Sequence, residues 1–130
     1  MDVSYILDDL NDAQRQAVTS ESKKLLVLAG AGSGKTKVLV HRIAWLIKAL
    51  SSSTHSILSV TFTNKAANEM TGRIEQILDQ PIPEMWCGTF HSISNRLLRR
   101  HYKEAGLEKD FSILDLSLIH ISEPTRRSMI

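Results

Sequence analysis

A glycine-rich stretch carries the clearest chemistry in this sequence. It reads AGAGSGKT and matches the phosphate-loop pattern G-x-x-x-x-G-K-[ST], except that alanine stands at the first glycine position. Glycines let successive backbone N–H groups turn inward toward phosphate oxygens. The pattern assigns the Lys35 ammonium to the β- and γ-phosphates of a nucleotide and the Thr36 hydroxyl to its magnesium ion. We therefore predict a nucleotide site built from Ala29, Gly30, Ala31, Gly32, Ser33, Gly34, Lys35 and Thr36.

The residues around this loop predict the strand and the helix that a phosphate loop requires. Residues 25–29 form a short apolar run after the polar stretch SESKK, which is typical of a buried strand. From Lys35 to Leu50 apolar residues recur at spacings of three and four, which predicts a largely buried helix. A glycine-rich turn without a ligand is the alternative, and the complete Gly-Lys-Thr ending argues against it.

The rest of the chain alternates between β-rich and helical segments. Residues 57–62 predict a strand, and Thr63 or Asn64 can cap a following helix with apolar residues at Ala66, Met70, Ile74 and Ile77. A third β-like run covers residues 85–90, and a helix with Ile93, Leu97 and Leu98 is expected over 91–105. This alternation predicts an α/β fold, with a parallel sheet and helices on both of its faces.

Two further loops follow the predicted strands. They read TFTNKAANEM from residue 61 and GTFHS from residue 88, and each offers hydroxyl, amide and N–H donors for phosphates or a nucleic-acid backbone. Ligands of parallel sheets gather at this end of the strands. Phe62 and Phe90 could stack on bases without reading them. On residue type alone, both phenylalanines are more often core residues.

The last predicted helix carries a basic stripe. Arg96, Arg99, Arg100 and Lys103 fall at helical spacing opposite the apolar residues. Such a stripe attracts phosphates, although a solvated helix face has the same pattern.

Composition sets limits on the class of protein. The 130 residues are 42% apolar and 23% charged, which suits one globular domain, and the net charge of +2 is compatible with nucleic acid without requiring it. The acidic start and the lack of a long apolar run predict a cytoplasmic protein with no membrane partner. The single cysteine, Cys87, excludes an intrachain disulfide. We interpret Cys87 and His91 as a core pair, because two such residues do not make a metal site.

Four motifs together carry a family resemblance. LNDAQRQAV, LAGAGSGKTKVLVHRIAWLI, TFTNKAANEM and GTFHS occur in this order and resemble the opening motifs of UvrD/Rep/PcrA-type superfamily I DNA helicases. The resemblance covers residues 1–115 and includes alanine at position 29. It implies a RecA-like P-loop NTPase fold, of which this chain holds an incomplete first motor domain, together with ATP and Mg²⁺.

The resemblance also implies roles that the residue patterns alone do not give. Gln14 would recognise adenine and Arg73 would lie near the nucleotide phosphates. Lys37 would also belong to the nucleotide site, at a position where the family usually has arginine. The implied contacts to single-stranded DNA are Phe62, Thr63, Asn64, Thr89, Phe90 and His91. The family moves 3′ to 5′ on single-stranded DNA and unwinds junctions with duplex, often in repair and with other repair proteins.

The end of the sequence departs from this family. Residues 116–130, LSLIHISEPTRRSMI, resemble one reading frame of a transposon adapter used in sequencing libraries, so we expect them to lie outside the helicase domain. We find no strand with the acidic magnesium ligand that phosphoryl transfer needs, and we expect little or no ATP hydrolysis by this chain alone. A natural short protein that binds nucleotide or DNA without turnover is the alternative. Another P-loop protein, such as a GTPase or a small-molecule kinase, is a further alternative. A GTPase is disfavoured, because Asn64-Lys65 is not followed by the aspartate of N-K-x-D.

Overall fold

Two helices come first in the chain, and strands and helices alternate after them, as in an α/β fold. The structure is a computed structural model that describes residues 2–30 and 34–113. Ala31, Gly32, Ser33 and the predicted tail 116–130 therefore lie outside the described residues. The elements are α1 (Asp12–Thr19), α2 (Lys35–Lys48), β1 (Leu58–Thr61), α3 (Asn64–Leu78), β2 (Trp86–Thr89) and α4 (Phe90–Arg100). Short 3-10 turns cover Ser4–Ile6 and Thr54–Ser56.

The described strands form a parallel pair. β1 and β2 lie side by side with Leu58 opposite Trp86 and Thr61 opposite Thr89. The connecting helix, α3, contacts both strands. This arrangement confirms the predicted parallel pairing and the two predicted strands, which are each shortened at both ends. Helices on both faces of a larger sheet stay a prediction.

The hydrophobic core lies between α2 and α3. The buried residues of α2 are Val40, Ile43 and Ala44, and those of α3 are Ala67, Met70, Ile74 and Leu78. Ile6, Ile82 and Met85 complete the cluster from the N-terminal turn and the loop before β2. The predicted helix was too long and its predicted burial too broad, because α2 ends at Lys48 and both Leu39 and Leu50 are exposed.

The two helices beside α2 begin with side-chain caps. The Asn11 side chain accepts a hydrogen bond from the Gln14 backbone N–H, and the Gln14 side chain accepts one from the Asn11 N–H, which is a capping box. Thr63 caps α3 by accepting from the N–H of Ala66, as the sequence predicted. The spacing of Asn11 and Gln14 is a sequence signal for this capping box, which the sequence-based prediction did not include.

The predicted strand at residues 25–29 is wrong. These residues have no regular secondary structure, and all four side chains from Leu25 to Leu28 are exposed. Leu26 and Leu28 are 81% and 86% exposed. A strand needs a neighbour for its backbone N–H and C=O groups, and among the described residues β1 and β2 pair only with each other. An apolar run becomes a buried strand only where such a neighbour is present.

The chain divides into two units, Met1–Thr89 and Phe90–Ile130. In the second unit α4 ends at Arg100, five positions before the predicted end, and Lys103 lies in the turns that follow. The Arg99 guanidinium sits 4.0 Å from the centroid of the Phe111 ring, and Phe111 is buried. The predicted basic stripe is therefore not one helix face, since Lys103 is outside the helix and Arg99 covers an aromatic ring.

Cys87 and His91 do not form the core pair that we predicted. Cys87 is half-buried, and its thiol lies 3.7 Å from the carbonyl oxygen of Ala67. His91 is exposed in the first turn of α4. None of the helices in the described part of the chain is long and apolar enough to cross a membrane.

Candidate nucleotide and nucleic-acid site

The N-terminus of α2 has the properties of an anion-binding helix start. Its N-cap residue, Gly34, has a positive φ of 82° and provides no side-chain hydrogen bond to the first turn. The Lys35 and Thr36 side chains are exposed in that first turn. Uncapped N–H groups and the positive end of the helix dipole favour a bound anion there. The described part of the predicted phosphate loop thus ends in a geometry suited to phosphate.

Gln14 lies directly against this helix start. A Cβ atom built on Gly34 would be 2.9 Å from the Gln14 Nε2 atom, so the amide nitrogen occupies the space beside the glycine. The capping box holds the rest of the side chain, because Gln14 Oε1 accepts from the Asn11 N–H at 3.0 Å. The amide is therefore held with its NH₂ group beside Gly34. The structure brings together two predicted site residues that are far apart in sequence.

Two more of the predicted nucleotide residues, Lys37 and Arg73, line a pocket of about 250 Å³. It lies between α2 and α3, and its lining consists of Lys37, Val40, His41, Arg73, Gln76 and Ile77. Lys37 is already engaged, since its Nζ atom donates to the Asp9 carbonyl at 2.7 Å and lies 3.2 Å from the Asp9 carboxylate. The Arg73 side chain is exposed at the pocket. The pocket is therefore lined by one cation that is paired with a carboxylate, Lys37, and by one exposed cation, Arg73.

Asp9 and Arg42 contribute to this region and were missed in the sequence. Arg42 donates to the carbonyl oxygens of Ala17, Val18 and Ser20, which lie at the end of α1. Asp9 lies outside the four quoted motifs, whereas Arg42 lies within LAGAGSGKTKVLVHRIAWLI but was given no role there, and the partners of both residues are distant in the chain. We find no signal in the sequence alone that would have identified these contacts.

The other predicted loop residues of the nucleotide site are less constrained. Ala29 is half-buried and Gly30 is exposed. Ala31, Gly32 and Ser33 lie outside the described residues, so their predicted contacts to phosphate stay predictions.

The aromatic residues after the strands are exposed rather than buried. Phe62 follows β1 and is 97% exposed, and Phe90 follows β2 and is 70% exposed. The alternative interpretation of both as core residues is therefore wrong. Each directly follows one member of the paired residues Thr61 and Thr89. Exposed aromatic rings at the ends of parallel strands are suited to stacking on bases.

Polar groups accompany the exposed ring of Phe62. The Thr61 hydroxyl donates to the Thr63 carbonyl at 3.0 Å, which shapes the turn around Phe62. The Thr63 hydroxyl oxygen accepts from Ala66 and keeps its own proton available for donation. Asn64 is exposed at the first position of α3. Thr89, the last residue of the first unit, is half-buried. In the second unit Phe90 and His91 are exposed in the first turn of α4.

Comparison with known proteins identifies similar sequences. Residues 10–126 match the family model of the UvrD/REP helicase N-terminal domain. The chain is 59% identical over 115 residues to DNA helicase II of Salmonella typhimurium and 60% identical over 115 residues to that of Escherichia coli. It is 48% identical over 112 residues to the ATP-dependent DNA helicase PcrA of Bacillus subtilis.

These alignments cover most of this chain and a small part of each relative. They include 88% of the chain for the two DNA helicase II proteins and 86% for PcrA. The chain spans only 16% of the two DNA helicase II proteins and 15% of PcrA.

Proposed function

Because this chain belongs to the UvrD/REP helicase family, whose N-terminal domain it matches over residues 10–126, we propose that it is the ATP-binding portion of a DNA helicase. Its fold would be the start of a RecA-like P-loop domain. The observation that carries this proposal is the Gln14 amide, held by a capping box against Gly34 at an uncapped helix start. That arrangement supports a site with a base contact on one side and phosphate contacts on the other.

The residues of the site have distinct roles in this proposal. Gln14 hydrogen-bonds adenine, and the loop from Ala29 to Gly34 surrounds the phosphates. Lys35 neutralises the β- and γ-phosphates, and Thr36 contributes a hydroxyl ligand to Mg²⁺. Arg73 is close enough to Lys37 to share a pocket with it, which supports a contact to the same nucleotide. The engagement of Lys37 by Asp9 leaves Arg73 as the freer cation for that contact.

The second part of the proposal concerns DNA. Phe62 with Thr63 and Asn64, and Phe90 with Thr89 and His91, would contact single-stranded DNA through stacking and backbone contacts. The full exposure of the Phe62 ring supports this, since an isolated exposed phenylalanine has no role in the core. Movement in the 3′ to 5′ direction, unwinding at junctions and repair partners are proposed for the longer protein. The 130-residue chain itself is expected to hydrolyse ATP slowly or not at all.

Titration of the chain with ATP and Mg²⁺ tests the nucleotide proposal. We expect saturable binding by calorimetry, and we expect Lys35→Ala to weaken it by at least about tenfold, because a charge-assisted contact to phosphate contributes on the order of 1.5–3 kcal/mol. Lys23→Ala, which removes an exposed lysine outside the site, serves as the control and should bind like the wild type. Absence of saturable binding by the wild-type chain would reject the proposal.

A further inference from the structure

Arg42 makes an unusual set of contacts for a residue outside the proposed site. Its Nη1 atom donates to the carbonyl oxygens of Ala17 at 2.8 Å, Val18 at 3.2 Å and Ser20 at 3.1 Å. These are groups at the C-terminal end of α1, where carbonyls lack partners within the helix. The last turn of α1 contains no basic residue of its own. Arg42 on α2 therefore supplies both the donors and the positive charge that this helix end requires.

The other end of the same segment is also attached to α2. Lys37 donates to the Asp9 carbonyl at 2.7 Å and pairs with the Asp9 carboxylate at 3.2 Å, just before the N-cap of α1. Two basic side chains of α2 thus hold the segment from Asp9 to Ser20 at its two ends. Gln14 lies between these two points of attachment.

α1 depends on such contacts because it is short and buries little apolar surface. It has eight residues, and Val18 is its one buried residue. Helices of this length are marginal without tertiary support. The position of Gln14 against Gly34 must therefore be determined largely by what attaches α1 to α2. Of the two attachments, only Arg42 lies away from the pocket that Lys37 and Arg73 share.

We propose that Arg42 is a positioning residue of the nucleotide site. It does not touch the nucleotide; it fixes the C-terminal end of α1 on α2 so that the Gln14 amide lies beside Gly34 and can select the base. This inference rests on the proposed ATP-binding function for its nucleotide readout. It predicts that loss of Arg42 affects recognition of the base and leaves recognition of phosphate unchanged.

Binding of ATP and of inorganic tripolyphosphate to the 130-residue chain separates these two effects. For Arg42→Met we expect the Kd for ATP to rise about tenfold, as for the loss of a directed hydrogen bond to the base, while the Kd for tripolyphosphate changes less than about twofold. Lys48→Met is the matched control, because Lys48 is on the same helix but donates to Gln80 of another element. The control should leave both constants unchanged.

A double-mutant cycle tests whether Arg42 acts through Gln14. Gln14→Ala should itself raise the Kd for ATP, and adding Arg42→Met to it should produce no further loss, since coupled residues are not additive. An equal loss for ATP and tripolyphosphate in Arg42→Met, or additive effects in the cycle, would overturn the proposal. If Arg42→Met does not fold, Arg42→Lys gives the same comparison with the charge kept and fewer hydrogen bonds.

Hydrogen exchange without nucleotide separates this inference from the proposed function. In Arg42→Met the amides of Asp12–Thr19 should exchange faster, and those of Asn64–Leu78 should be unaffected. Unchanged exchange in α1 would show that Arg42 does not hold it and would refute the inference. Failure of the wild-type chain to bind ATP would instead reject the proposed function, and the exchange data would still decide whether Arg42 fixes α1.

Discussion

At the scale of single residues, Gly34 meets two separate constraints. Its φ of 82° is unfavourable for any residue with a Cβ atom, and an added Cβ would lie 2.9 Å from the Gln14 amide nitrogen. The positive φ favours glycine by itself, and an added Cβ would also displace the end of the Gln14 side chain. Together they make this position the point at which the helix start and the proposed base-binding residue meet.

Gly34→Ala should therefore damage the proposed site in two ways. We expect a loss of about 1–2 kcal/mol in stability from the left-handed backbone and a rise of at least about tenfold in the Kd for ATP, because Gln14 must move. Gly72→Ala is the control: Gly72 lies within α3, with nothing within 4 Å of an added Cβ. It should gain about 0.5–1 kcal/mol of stability and bind ATP normally. Equal ATP binding by both variants would contradict the assigned geometry.

Phe62 is the second residue whose exposure has a functional meaning. We expect Phe62→Ala to leave stability within about 0.5 kcal/mol, because the ring is 97% exposed. Its affinity for single-stranded oligonucleotides should fall roughly 5- to 150-fold, as loss of one stacking contact of about 1–3 kcal/mol requires. Fluorescence anisotropy measures this, with Leu50→Ala as an exposed apolar control. Unchanged affinity in Phe62→Ala would remove this residue from the proposed DNA contacts.

At the scale of elements, side-chain caps distinguish structural helix starts from the proposed binding site. α1 and α3 begin with Asn11 and Thr63, whose side chains accept backbone N–H groups, whereas α2 begins with Gly34 and has no such cap. A capped start stabilises a helix by itself. A helix start whose N-cap residue offers no side-chain acceptor is suited to binding an anion at its first N–H groups.

Thr63→Ala tests the structural half of this distinction. The Thr63 oxygen accepts from Ala66 at 3.0 Å, so its removal should lower the free energy of unfolding by about 1 kcal/mol, measured by urea denaturation. Thr71→Ala removes a hydroxyl from the middle of the same helix, where it bonds only to the Ala67 carbonyl. That control should change stability by less than about 0.5 kcal/mol, since alanine has the higher helix propensity. Equal effects in the two variants would argue against a capping role.

At the scale of the whole molecule, the main feature is a solvent-exposed apolar segment, Leu25 to Leu28. Leu26 and Leu28 are exposed immediately before the phosphate loop, although their residue types are those of a buried strand. An exposed apolar segment promotes association between molecules. We expect this segment to limit the solubility of the chain when it is studied alone.

Leu28→Ser tests that expectation. It should reduce concentration-dependent association in sedimentation experiments while changing the free energy of unfolding by less than about 0.5 kcal/mol, because the side chain is 86% exposed. Ile74→Ala, in the buried core between α2 and α3, should instead cost about 2–5 kcal/mol. A loss of several kcal/mol in Leu28→Ser would mean that the segment is packed in solution.

Local features of the fold could be predicted from the sequence because they depend on neighbouring residues. The start of α2 at Lys35, the Thr63 cap of α3 and the parallel strands on either side of α3 all follow from short patterns. The Gly-Lys-Thr ending of the loop predicts a nucleotide site, and four motifs indicated the family that the comparison confirmed. The boundary at residue 115 stays a prediction.

The sequence alone determined the family and the alternation of helices and strands from Lys35 onward, whereas the tertiary structure decided which residues meet and which are exposed. Only the structure places the Gln14 amide at Gly34, joins Lys37 and Arg73 in one pocket, and attaches α1 through Arg42. Only the structure shows that Phe62 is exposed and that residues 25–29 have no strand partner among residues 2–30 and 34–113. The physical reason is that burial and pairing are properties of two surfaces, and a local pattern describes only one of them.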